Sequence, residues 1–496
     1  MQSALAEQYA TLLKQNATLL QENRLLQQKV HFLMQRLFGR TSEKLDRRQL
    51  ELLLGELQAL TAPPPEDDPP PSPPGPRRAP RDAKPRLPEN LPTEEIIVDP
   101  EEVTRDPSAY RLIGTEVTEE LDVIPVQYLR RLIIRRKFMA KADHNRPPIL
   151  APLAPRLIEG SYASAGLLTD IVLKKYVDHL PLYRQEQILR TRHGIELSRQ
   201  TMSDWVRVVA DWISPIYAHI REDLQQGSYL QIDETPIRYC LAEGGGSAQG
   251  YFWVYHRPGG DVLFEWHTGR GANCLDEMLD RFRGTVQCDG YGAYSSFAKH
   301  HDGITLAGCW AHARRGFHEA LEEAPGFARW LLHQIQHLYA LEALARHRRA
   351  GPHLRQAMRA ACSRMVLTRL EVALKRKLTA YLPKSQMGQA IGYALGHWAQ
   401  LLRFVEDGHL EIDNNLVENA IRPTAVGKKN WLFIGHPEAG DRSAIIYTLL
   451  ECCKRRGINP QEYLRDVLTR LPTLTNHQTR ELTPGNWLAT RRAKAA

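Results

Sequence analysis

The sequence predicts a multidomain α+β protein that combines an N-terminal coiled coil, a helix-turn-helix-like helical domain and an α/β core interrupted by an all-helical insertion. Three observations carry this prediction. Leucine recurs every seven residues near the N-terminus, strand-like and helical segments alternate across residues 226–316, and Leu/Ala-rich helical periodicity runs through residues 317–405. With 496 residues, the chain is too long for one hydrophobic core, so two to four domains are expected.

The heptad repeat occupies residues 1–38, within a predicted coiled-coil region of residues 1–45. Asn16 and Asn23 lie in the second seam of the repeat, where a buried asparagine is tolerated when it pairs with its mate. The pattern therefore favours a parallel homodimer or higher oligomer through residues 1–38, with an amphipathic helix packed on its own domain as the alternative. The leucines of the first seam are Leu5, Leu12, Leu19, Leu26 and Leu33.

Two regions without strong helical signals follow the heptads. Residues 46–92 read as a linker, because the Pro-rich stretch within residues 61–92 forms neither helix nor sheet and acts as an extended spacer. Residues 93–160 read as a small β-rich module with a basic strand at Tyr128–Phe138. The basic side chains of this strand either bind nucleic-acid phosphates or face solvent, and the sequence favours neither alternative.

Residues 161–225 are predicted to be helical, with a helix-turn-helix pattern between Leu182 and Trp205. Gly194 suits the turn and Ser198 suits the N-cap of the second helix. Two helices around a glycine are common, so this pattern is weak by itself. The residues expected to face outward and contact DNA are Arg199, Gln200, Thr201 and Ser203.

The catalytic core is predicted in two parts, residues 226–316 and residues 406–452, separated by the all-helical insertion at 317–405. The first part reads β-β-β-α-β-α-β-α, which is the element order of ribonuclease-H-like folds. Residues 453–496 read as a C-terminal helical tail. The expected strands are Tyr229–Asp233, Ile237–Cys240, Tyr251–His256, Val262–Trp266, Val286–Asp289 and Ile304–Cys309, with a helix from about Asn273 to Phe282 before the fifth of these.

Three acidic residues are the candidate catalytic and metal-binding residues. Asp233 and Asp289 are each expected at the end of a strand, and Glu418 in a short helical segment that opens with Asp413. Two strand-end carboxylates and one helical carboxylate can hold two Mg²⁺ or Mn²⁺ ions for phosphodiester chemistry, and hard oxygen ligands suit these ions. The pattern points to a nuclease or a DNA strand-transfer enzyme. The nearby substitutes, should one assignment fail, are Glu234, Glu411 and Asp413.

Each of the three acids also has a structural alternative. Asp233 could cap a turn before Pro236, and Asp289 could initiate an Asp-Gly turn. Glu418 fits the third position of a capping box with Asn415 as the N-cap. Taken together on this element order, the three acids favour the metal interpretation.

Basic and aromatic residues near the acids supply further candidates. Trp310 and His312 are expected beside the site, where Trp310 either stacks on an unpaired base or packs in the core, and His312 either moves a proton or binds phosphate. Arg422, four residues after Glu418, either pairs with that carboxylate or reaches a phosphate. The remaining candidate DNA contacts are Arg314, Arg315, Lys428 and Lys429.

Composition restricts the class of protein. Hydrophobic residues make up 43% of the chain, charged residues 25%, and a formal net charge of +8 favours a polyanionic partner such as DNA without being specific to it. Seven cysteines occur, none before Cys240 and none in C-x-x-C spacing, which argues against a disulfide framework and a cysteine zinc site. The polar N-terminus and the absence of a long apolar stretch predict a cytoplasmic, nucleoid-associated protein without a signal peptide or membrane contact.

Motifs along nearly the whole chain resemble the large DDE transposase of the insertion-sequence-66 family. The resemblance implies Asp233, Asp289 and Glu418 at the family's acidic positions, element-end DNA as substrate, and small accessory proteins from the same element. Transposases of this family usually carry a cysteine-based zinc segment, whereas residues 93–160 contain no cysteine. The matching stretches are Phe38–Leu45, Lys175–Arg184, Asp233–Pro236, Asp289–Tyr291 with Tyr294, Cys309–Arg315, Glu411–Pro423, Gly427–Asn430 and Pro484–Trp487.

The resemblance and the acids lead to one expected function and two rivals. We expect a Mg²⁺-dependent DNA transposase that binds element ends, cleaves DNA and transfers strands by a two-metal mechanism. A catalytically silent DNA-binding relative, domesticated or inhibitory, is the first rival. A structure-selective nuclease is the second, although such an enzyme does not need the heptad region.

Overall fold

A computed structural model describes residues 128–133, 137–138, 149–150, 154–241 and 246–495. The predicted coiled coil, the Pro-rich linker and most of the small β-rich module lie outside these ranges. Part of the predicted strand Tyr128–Phe138 is described, and residues 128–133 are not a strand. Its last two residues form β1 (Lys137–Phe138), which pairs antiparallel with β2 (Ile149–Leu150).

In the described residues from 154 onward, three helices precede the main sheet: α1 (Ala165–Tyr176), α2 (Leu182–His193) and α3 (Arg199–Gln225). The local turn chemistry is as the sequence predicts. Gly194 closes α2 in the left-handed conformation with φ 63°, which glycine adopts without a Cβ penalty. Ser198 caps α3 by accepting a hydrogen bond from Thr201 N, and α3 then continues for 27 residues with one apolar face in the core.

A mixed five-stranded sheet follows, in the order β5-β4-β3-β6-β7. β3 pairs antiparallel with β4 and parallel with β6; β4 and β5 are antiparallel, and β6 and β7 are parallel. Strands β3, β4 and β5 therefore form an antiparallel meander. Two crossover connections then add β6 beside β3 and β7 beside β6. The strands are β3 (Tyr229–Cys240), β4 (Ser247–His256), β5 (Val262–His267), β6 (Gly284–Gln287) and β7 (Ile304–Ala307).

The strand boundaries differ from the sequence prediction in two places that matter for the site. The segments Tyr229–Asp233 and Ile237–Cys240 form one continuous strand, because the whole of β3 from Gln231 to Cys240 is paired with β4. Asp233 therefore lies inside a strand and does not end one. β6 ends at Gln287, so Asp289 lies two residues beyond it, in the loop before the next helix.

The crossovers contain short helices. Before β6, the predicted helix Asn273–Phe282 is a 3-10 turn (Ala272–Leu275) followed by a single turn, α4 (Asp276–Leu279). Gly284 at the start of β6 leaves little room for a longer helix, because only a short loop separates the two elements. The second crossover is α5 (Gly292–His300).

The chain after β7 is helical throughout the described residues. Arg359–Ser363 is a π-helical turn between two of the helices, and 3-10 turns occur at Leu378–Ala380, Leu471–Thr473 and Gln478–Leu482. The helices are α6 (Trp310–Glu319), α7 (Pro325–His347), α8 (Pro352–Met358), α9 (Arg364–Lys377), α10 (Gln386–Gly396), α11 (Trp398–Glu406), α12 (Asn415–Trp431), α13 (Glu438–Arg455), α14 (Pro460–Arg470) and α15 (Pro484–Ala495).

Two hydrophobic clusters divide these elements. One cluster joins α1–α3, the sheet, α12, α13 and the C-terminal helices; the other joins α6 with the helices between residues 325 and 406. α13 covers the edge strand β5, where Thr448 Oγ1 accepts a hydrogen bond from Phe264 N at 2.9 Å. This contact satisfies a backbone group that an exposed edge would leave unpaired. Helix α13 extends beyond residue 452, where the catalytic core was predicted to end, and Tyr463 and Trp487 in the predicted C-terminal tail are buried.

All seven cysteines lie in the described residues and are free thiols, as their spacing predicts. Among the helices described, none combines the length and apolar character that a bilayer crossing requires.

Candidate active site

Asp233 is the most perturbed carboxylate of the site. Burial and, after it, repulsion from the nearby carboxylates of Glu234, Asp289 and Glu418 together raise its pKa to about 8. The repulsion from Asp289 and Glu418 shows that the fold brings the three predicted acids into one neighbourhood, although 56 and 129 residues separate Asp289 and Glu418 from the preceding acid. The predicted turn at Asp233 is wrong, because Asp233 continues the β3 ladder opposite Val254.

Asp289 lies in a tight turn after β6. Its Oδ1 accepts a hydrogen bond from Tyr291 N at 2.8 Å, and Gly290 between them has φ 89°, a conformation that other residues rarely adopt. The Asp-Gly turn predicted as a structural alternative therefore forms. It uses only one carboxylate oxygen, so the turn orients Asp289 without occupying its second oxygen.

The helical insertion holds this turn from the other side. Tyr393 of α10 donates a hydrogen bond from its hydroxyl to the main-chain oxygen of Asp289. A Cβ placed on Gly290 would meet His397 Nε2 at 2.9 Å, so only glycine fits between the turn and α10. The position of Asp289 thus depends on a helix that lies about 100 residues later in the chain.

Glu418 lies one turn into α12. The predicted capping box is wrong, because Asn414 is the N-cap, makes no side-chain cap hydrogen bond, and places Glu418 at the fourth helical position. The Oε1 atom of Glu418 is buried without a hydrogen-bond partner among the described residues, and the closest basic atom is His312 Nε2 at 3.9 Å. A buried carboxylate oxygen without a donor is costly unless a cation or a solvent molecule binds it.

The three substitute acids are all engaged elsewhere. Glu234 accepts hydrogen bonds from Arg270 Nε at 2.8 Å and from the Tyr294 hydroxyl at 2.6 Å. The carboxylates of Asp413 and Glu411 are likewise held, the first by the Tyr339 hydroxyl at 2.7 Å and by Asn415, the second by Arg355 at 2.7 Å. By contrast, Asp233 and Asp289 each accept one hydrogen bond, from the main-chain N–H groups of Glu234 and Tyr291, and neither pairs with a basic side chain among the described residues.

Most of the candidate DNA contacts are exposed. Arg199, Gln200 and Ser203 are exposed at the start of α3, and Thr201 is half-buried because its backbone N–H and hydroxyl contact the Ser198 cap. Arg314 and Arg315 on α6 and Arg422 and Lys429 on α12 are also exposed. Arg422 makes no ion pair with Glu418, which leaves its guanidinium available for a phosphate.

Lys428 differs from the other basic candidates. Its ammonium donates a hydrogen bond to the main-chain oxygen of Pro236 at 3.2 Å, and burial together with Lys429 lowers its pKa. Lys428 therefore ties α12 to β3 three residues beyond Asp233, and its role is partly structural.

Trp310 is a core residue. Its side chain is 1% exposed, its Nε1 donates a hydrogen bond to Leu401 O at 2.9 Å, and it packs edge-on against Trp398. Of the two alternatives for Trp310, packing in the core is the one observed, and the ring anchors α6 to α11. His312, two residues later, faces Glu418, and its Nδ1 is buried without a partner among the described residues.

One set of buried polar residues, in the strands that lead to the acids, was not predicted from the sequence. Tyr229, Gln231 and Gln287 lie in the middle of the sheet, and both glutamines are 0% exposed. One signal was present: each strand acid is preceded by glutamine two residues earlier, in Gln231-Ile-Asp233 and Gln287-Cys-Asp289. An amide in an otherwise apolar strand indicates a buried hydrogen-bond network.

The residues present suit divalent ions with oxygen ligands. Burial and the carboxylates of Glu234, Asp289 and Glu418 raise the pKa of Asp233, and Glu418 Oε1 is buried without a donor, so a cation would relieve both costs. In the parts of the chain that the structure describes, no three His, Cys, Asp or Glu side chains lie close enough together to hold a metal ion as they stand. The acids form an open cluster, in which oxygens of Asp233, Asp289 and Glu418 remain for ions or substrate.

Comparison with known proteins covers most of the chain. The model of the Transposase IS66 family matches residues 160–442, and the IS66 C-terminal element matches residues 448–484. A third model, described as Transposase C of IS166 homeodomain, matches residues 25–96, which overlap the predicted coiled coil and linker and lie outside the described ranges.

Three proteins of Sinorhizobium fredii are similar over most of their length. The uncharacterized protein y4qI is 34% identical over 414 residues, covering 80% of this chain and 75% of y4qI. The uncharacterized proteins y4jD and y4hP are 30% and 27% identical, covering 83% and 82% of this chain and 83% and 77% of their own. Family match and overall similarity agree: the chain belongs to the IS66 transposase family.

Proposed function

We propose that this chain is a DNA transposase that binds the ends of its insertion sequence, cleaves phosphodiester bonds and transfers strands with Asp233, Asp289 and Glu418 as its catalytic acids. We also propose that the sheet and its flanking helices are a ribonuclease-H-like core. The sheet order β5-β4-β3-β6-β7 supports this assignment, since it is a three-strand meander extended by two parallel strands next to its first strand.

The observation that carries the proposal is the selective availability of the three acids. The Asp233 carboxylate is repelled by those of Asp289 and Glu418, and each of the three acids keeps an oxygen without a hydrogen bond among the described residues, while Glu234, Glu411 and Asp413 are each held by a basic or hydroxyl-bearing side chain. A purely structural cluster would pair its carboxylates, because unpaired buried charge is destabilising. The cluster instead has the charge and the ligand chemistry that Mg²⁺ or Mn²⁺ prefers.

The three acids share one proposed task. Asp233 is near both Asp289 and Glu418, and the three carboxylates would hold the divalent ions together. When bound, such ions activate an attacking oxygen and stabilise the leaving oxygen in an in-line displacement at phosphorus. His312 is proposed to orient the Glu418 carboxylate or to contact a phosphate, because its Nε2 faces Glu418 Oε1.

The exposed basic residues fit a DNA substrate. Arg314, Arg315, Arg422 and Lys429 are proposed to hold phosphates near the acids, and the start of α3 is proposed to read element-end sequence. A homodimer or higher oligomer through residues 1–38, and accessory proteins from the same element, are proposed as partners.

The experiment compares wild type with Asp233→Ala on DNA that carries the element's own ends, with Mg²⁺ or with a chelator. Glu411→Ala is the matched control, because it removes a nearby carboxylate that is paired with Arg355. Metal-dependent cleavage and strand transfer in wild type and in Glu411→Ala, lost in Asp233→Ala while DNA binding persists, support the proposal.

Two other results point to the rival functions. DNA binding without cleavage in wild type, even with the accessory proteins added, would indicate a catalytically silent DNA-binding relative. Metal-dependent cleavage that ignores the element ends and gives no strand transfer would indicate a structure-selective nuclease.

A further inference from the structure

We propose that Gln231, Gln287 and Tyr229 form a positioning network that holds the three acid-bearing segments in mutual register and thereby sets the affinity of the site for divalent ions. The inference rests on the proposed function for the identity of the acids. It assigns a role to three residues that do not themselves contact the substrate or the ions.

The network begins with the register of the sheet. Gln231 of β3 lies directly beside Gln287 of β6 in the parallel ladder. Each glutamine lies two residues before an acid, and Gln231 and Asp233, two residues apart on β3, share one face of the sheet. Gln231 Nε2 donates a hydrogen bond to Gln287 Oε1 at 2.9 Å, so the strands that lead to Asp233 and Asp289 are linked through their side chains as well as their backbones.

The network then captures the segment that leads to Glu418. Gln231 Nε2 donates to Asp413 O at 2.9 Å, and Gln287 Nε2 donates to Glu411 O at 2.8 Å. The Tyr229 hydroxyl accepts a hydrogen bond from Glu411 N at 3.1 Å. Three bonds therefore fix the main chain of residues 411–413, immediately before α12 begins and carries Glu418 to the site.

A fourth contact ties in the last strand. The second hydrogen of Gln287 Nε2 goes to Gly308 O at 3.0 Å, just after β7 ends and before the helix that carries His312. Tyr229 completes the network by donating its hydroxyl hydrogen to Gln287 Oε1 at 2.5 Å. Four segments thus meet at the side-chain amide of Gln287: β3, β6, residues 411–413 and the end of β7. These segments lead to the three acids and to His312.

The burial of this network makes it specific. Gln231 and Gln287 are 0% exposed and Tyr229 is 9% exposed, so water does not replace a bond that is lost. Apolar side chains could fill the same space without burying polar groups. They could not, however, hold residues 411–413 in one orientation, because only hydrogen bonds are directional. These residues belong to no strand or helix of the described structure.

The test uses full-length protein with Gln287→Met, which preserves side-chain length and removes the amide, and Tyr229→Phe as a milder variant. Gln185→Met is the matched control. Gln185 is also a buried glutamine, 3% exposed, and its Nε2 donates to Ile171 O and Leu180 O far from the acids in sequence. Mn²⁺ affinity is measured by calorimetry or electron paramagnetic resonance, together with thermal unfolding and, on element-end DNA, kcat and KM.

For Gln287→Met we expect Mn²⁺ affinity to fall about 10-fold or more, as for other residues that support metal ligands indirectly. Tyr229→Phe should show a smaller loss in the same direction, and kcat should fall with little change in the KM for DNA. Gln185→Met should lower the unfolding temperature while leaving Mn²⁺ affinity at the wild-type value.

Unchanged Mn²⁺ affinity in Gln287→Met and Tyr229→Phe, with unfolding temperatures lowered as in Gln185→Met, would overturn the inference and leave the network a structural role only. The proposed function fails separately: wild type would then bind Mn²⁺ but cleave no DNA, and a loss of Mn²⁺ affinity in Gln287→Met would still support the positioning role.

Discussion

At the scale of single residues, the neighbours Asp233 and Glu234 have opposite roles although both are buried acids. Successive side chains of a strand point to opposite faces, so Asp233 faces Asp289 and Glu418 while Glu234 faces Arg270 and Tyr294. Burial and repulsion make the ionised Asp233 carboxylate destabilise the folded protein, whereas the hydrogen bonds of the Glu234 carboxylate stabilise it. Substituting each acid by its amide, and measuring the free energy of unfolding, distinguishes the two effects.

Asp233→Asn is expected to stabilise the protein in a chelating buffer by about 1–3 kcal/mol and to abolish cleavage. The raised pKa of about 8 means that the folded protein favours the protonated carboxyl, so the ionised form costs stability increasingly as pH rises from 4 to 8. The gain should therefore be largest near pH 8 and should vanish toward pH 4. Urea unfolding at several pH values measures it.

Glu234→Gln is the control for this substitution and is expected to act in the opposite direction. Arg270 and the buried Tyr294 hydroxyl lose a charged partner, which should lower the free energy of unfolding by about 1–3 kcal/mol. Equal destabilisation by the two amide substitutions would contradict the distinction between a free and a paired acid.

At the scale of elements, sequence patterns predicted local structure better than contacts between distant segments. The Gly194 turn, the Ser198 cap and the alternation of strands and helices depend on residues close in sequence, and each formed. The length of β3 and the core position of Trp310 depend on β4 and on α11, which lie farther along the chain. Local signals carry no information about such partners.

The same limit explains which parts of the site were missed. Glu418 was recognisable from its residue type and from the family resemblance, whereas the buried network depends on contacts of residues 411–413 with Gln231 and Gln287, which lie far earlier in the chain. Arg359 shows the same dependence: this fully buried guanidinium pairs with Glu342 and donates to Phe404 O and Leu410 O, which anchors the chain before α12. Its π-helical turn has no clear pattern in the sequence.

One contact between elements predicts a pH dependence of stability. His256, at the end of β4, is 1% exposed, and its Nε2 accepts a hydrogen bond from Arg455 of α13 at 2.9 Å. Burial and the Arg455 charge lower the pKa of His256 to about 3. The unfolded chain takes up a proton near pH 6.5 that the folded protein does not, so stability should fall as pH drops from 6.5 toward 3.

His256→Gln is expected to remove roughly 2–3 kcal/mol of the stability loss between pH 7 and pH 4, since glutamine can still accept from Arg455 and does not titrate. Chemical unfolding across this pH range measures the difference. His318→Gln, at an exposed position on α6, serves as the control and should leave the pH profile unchanged. A His256→Gln profile parallel to wild type would contradict the buried neutral imidazole.

At the scale of the whole molecule, two groups of exposed residues have separate proposed tasks in DNA binding. The start of α3 is proposed to distinguish element ends from other DNA, and Arg314 and Arg315 are proposed to hold phosphates beside the acids. The first task depends on base sequence and the second does not. Binding measurements at several salt concentrations distinguish them.

The double substitution Arg314→Ala/Arg315→Ala should weaken binding to element-end and random DNA equally and reduce the salt dependence of binding by about two phosphate contacts. Gln200→Ala should instead reduce the preference for element ends. Arg470→Ala is the control, because Arg470 is already paired with Asp466 and Glu481, and it should change neither property. Loss of element-end preference in the Arg314/Arg315 variant alone would reverse the two assignments.

Iron-directed cleavage of the polypeptide tests whether Asp233, Asp289 and Glu418 act together on divalent ions. Fe²⁺ replaces Mg²⁺ in such sites, and with ascorbate and peroxide it generates radicals that cut the nearest backbone. We expect cuts near residues 233, 289 and 418 together, competed by Mg²⁺ and lost at all three places in Asp233→Asn. Cuts confined to other segments, or cuts at these three places that persist in Asp233→Asn, would contradict it.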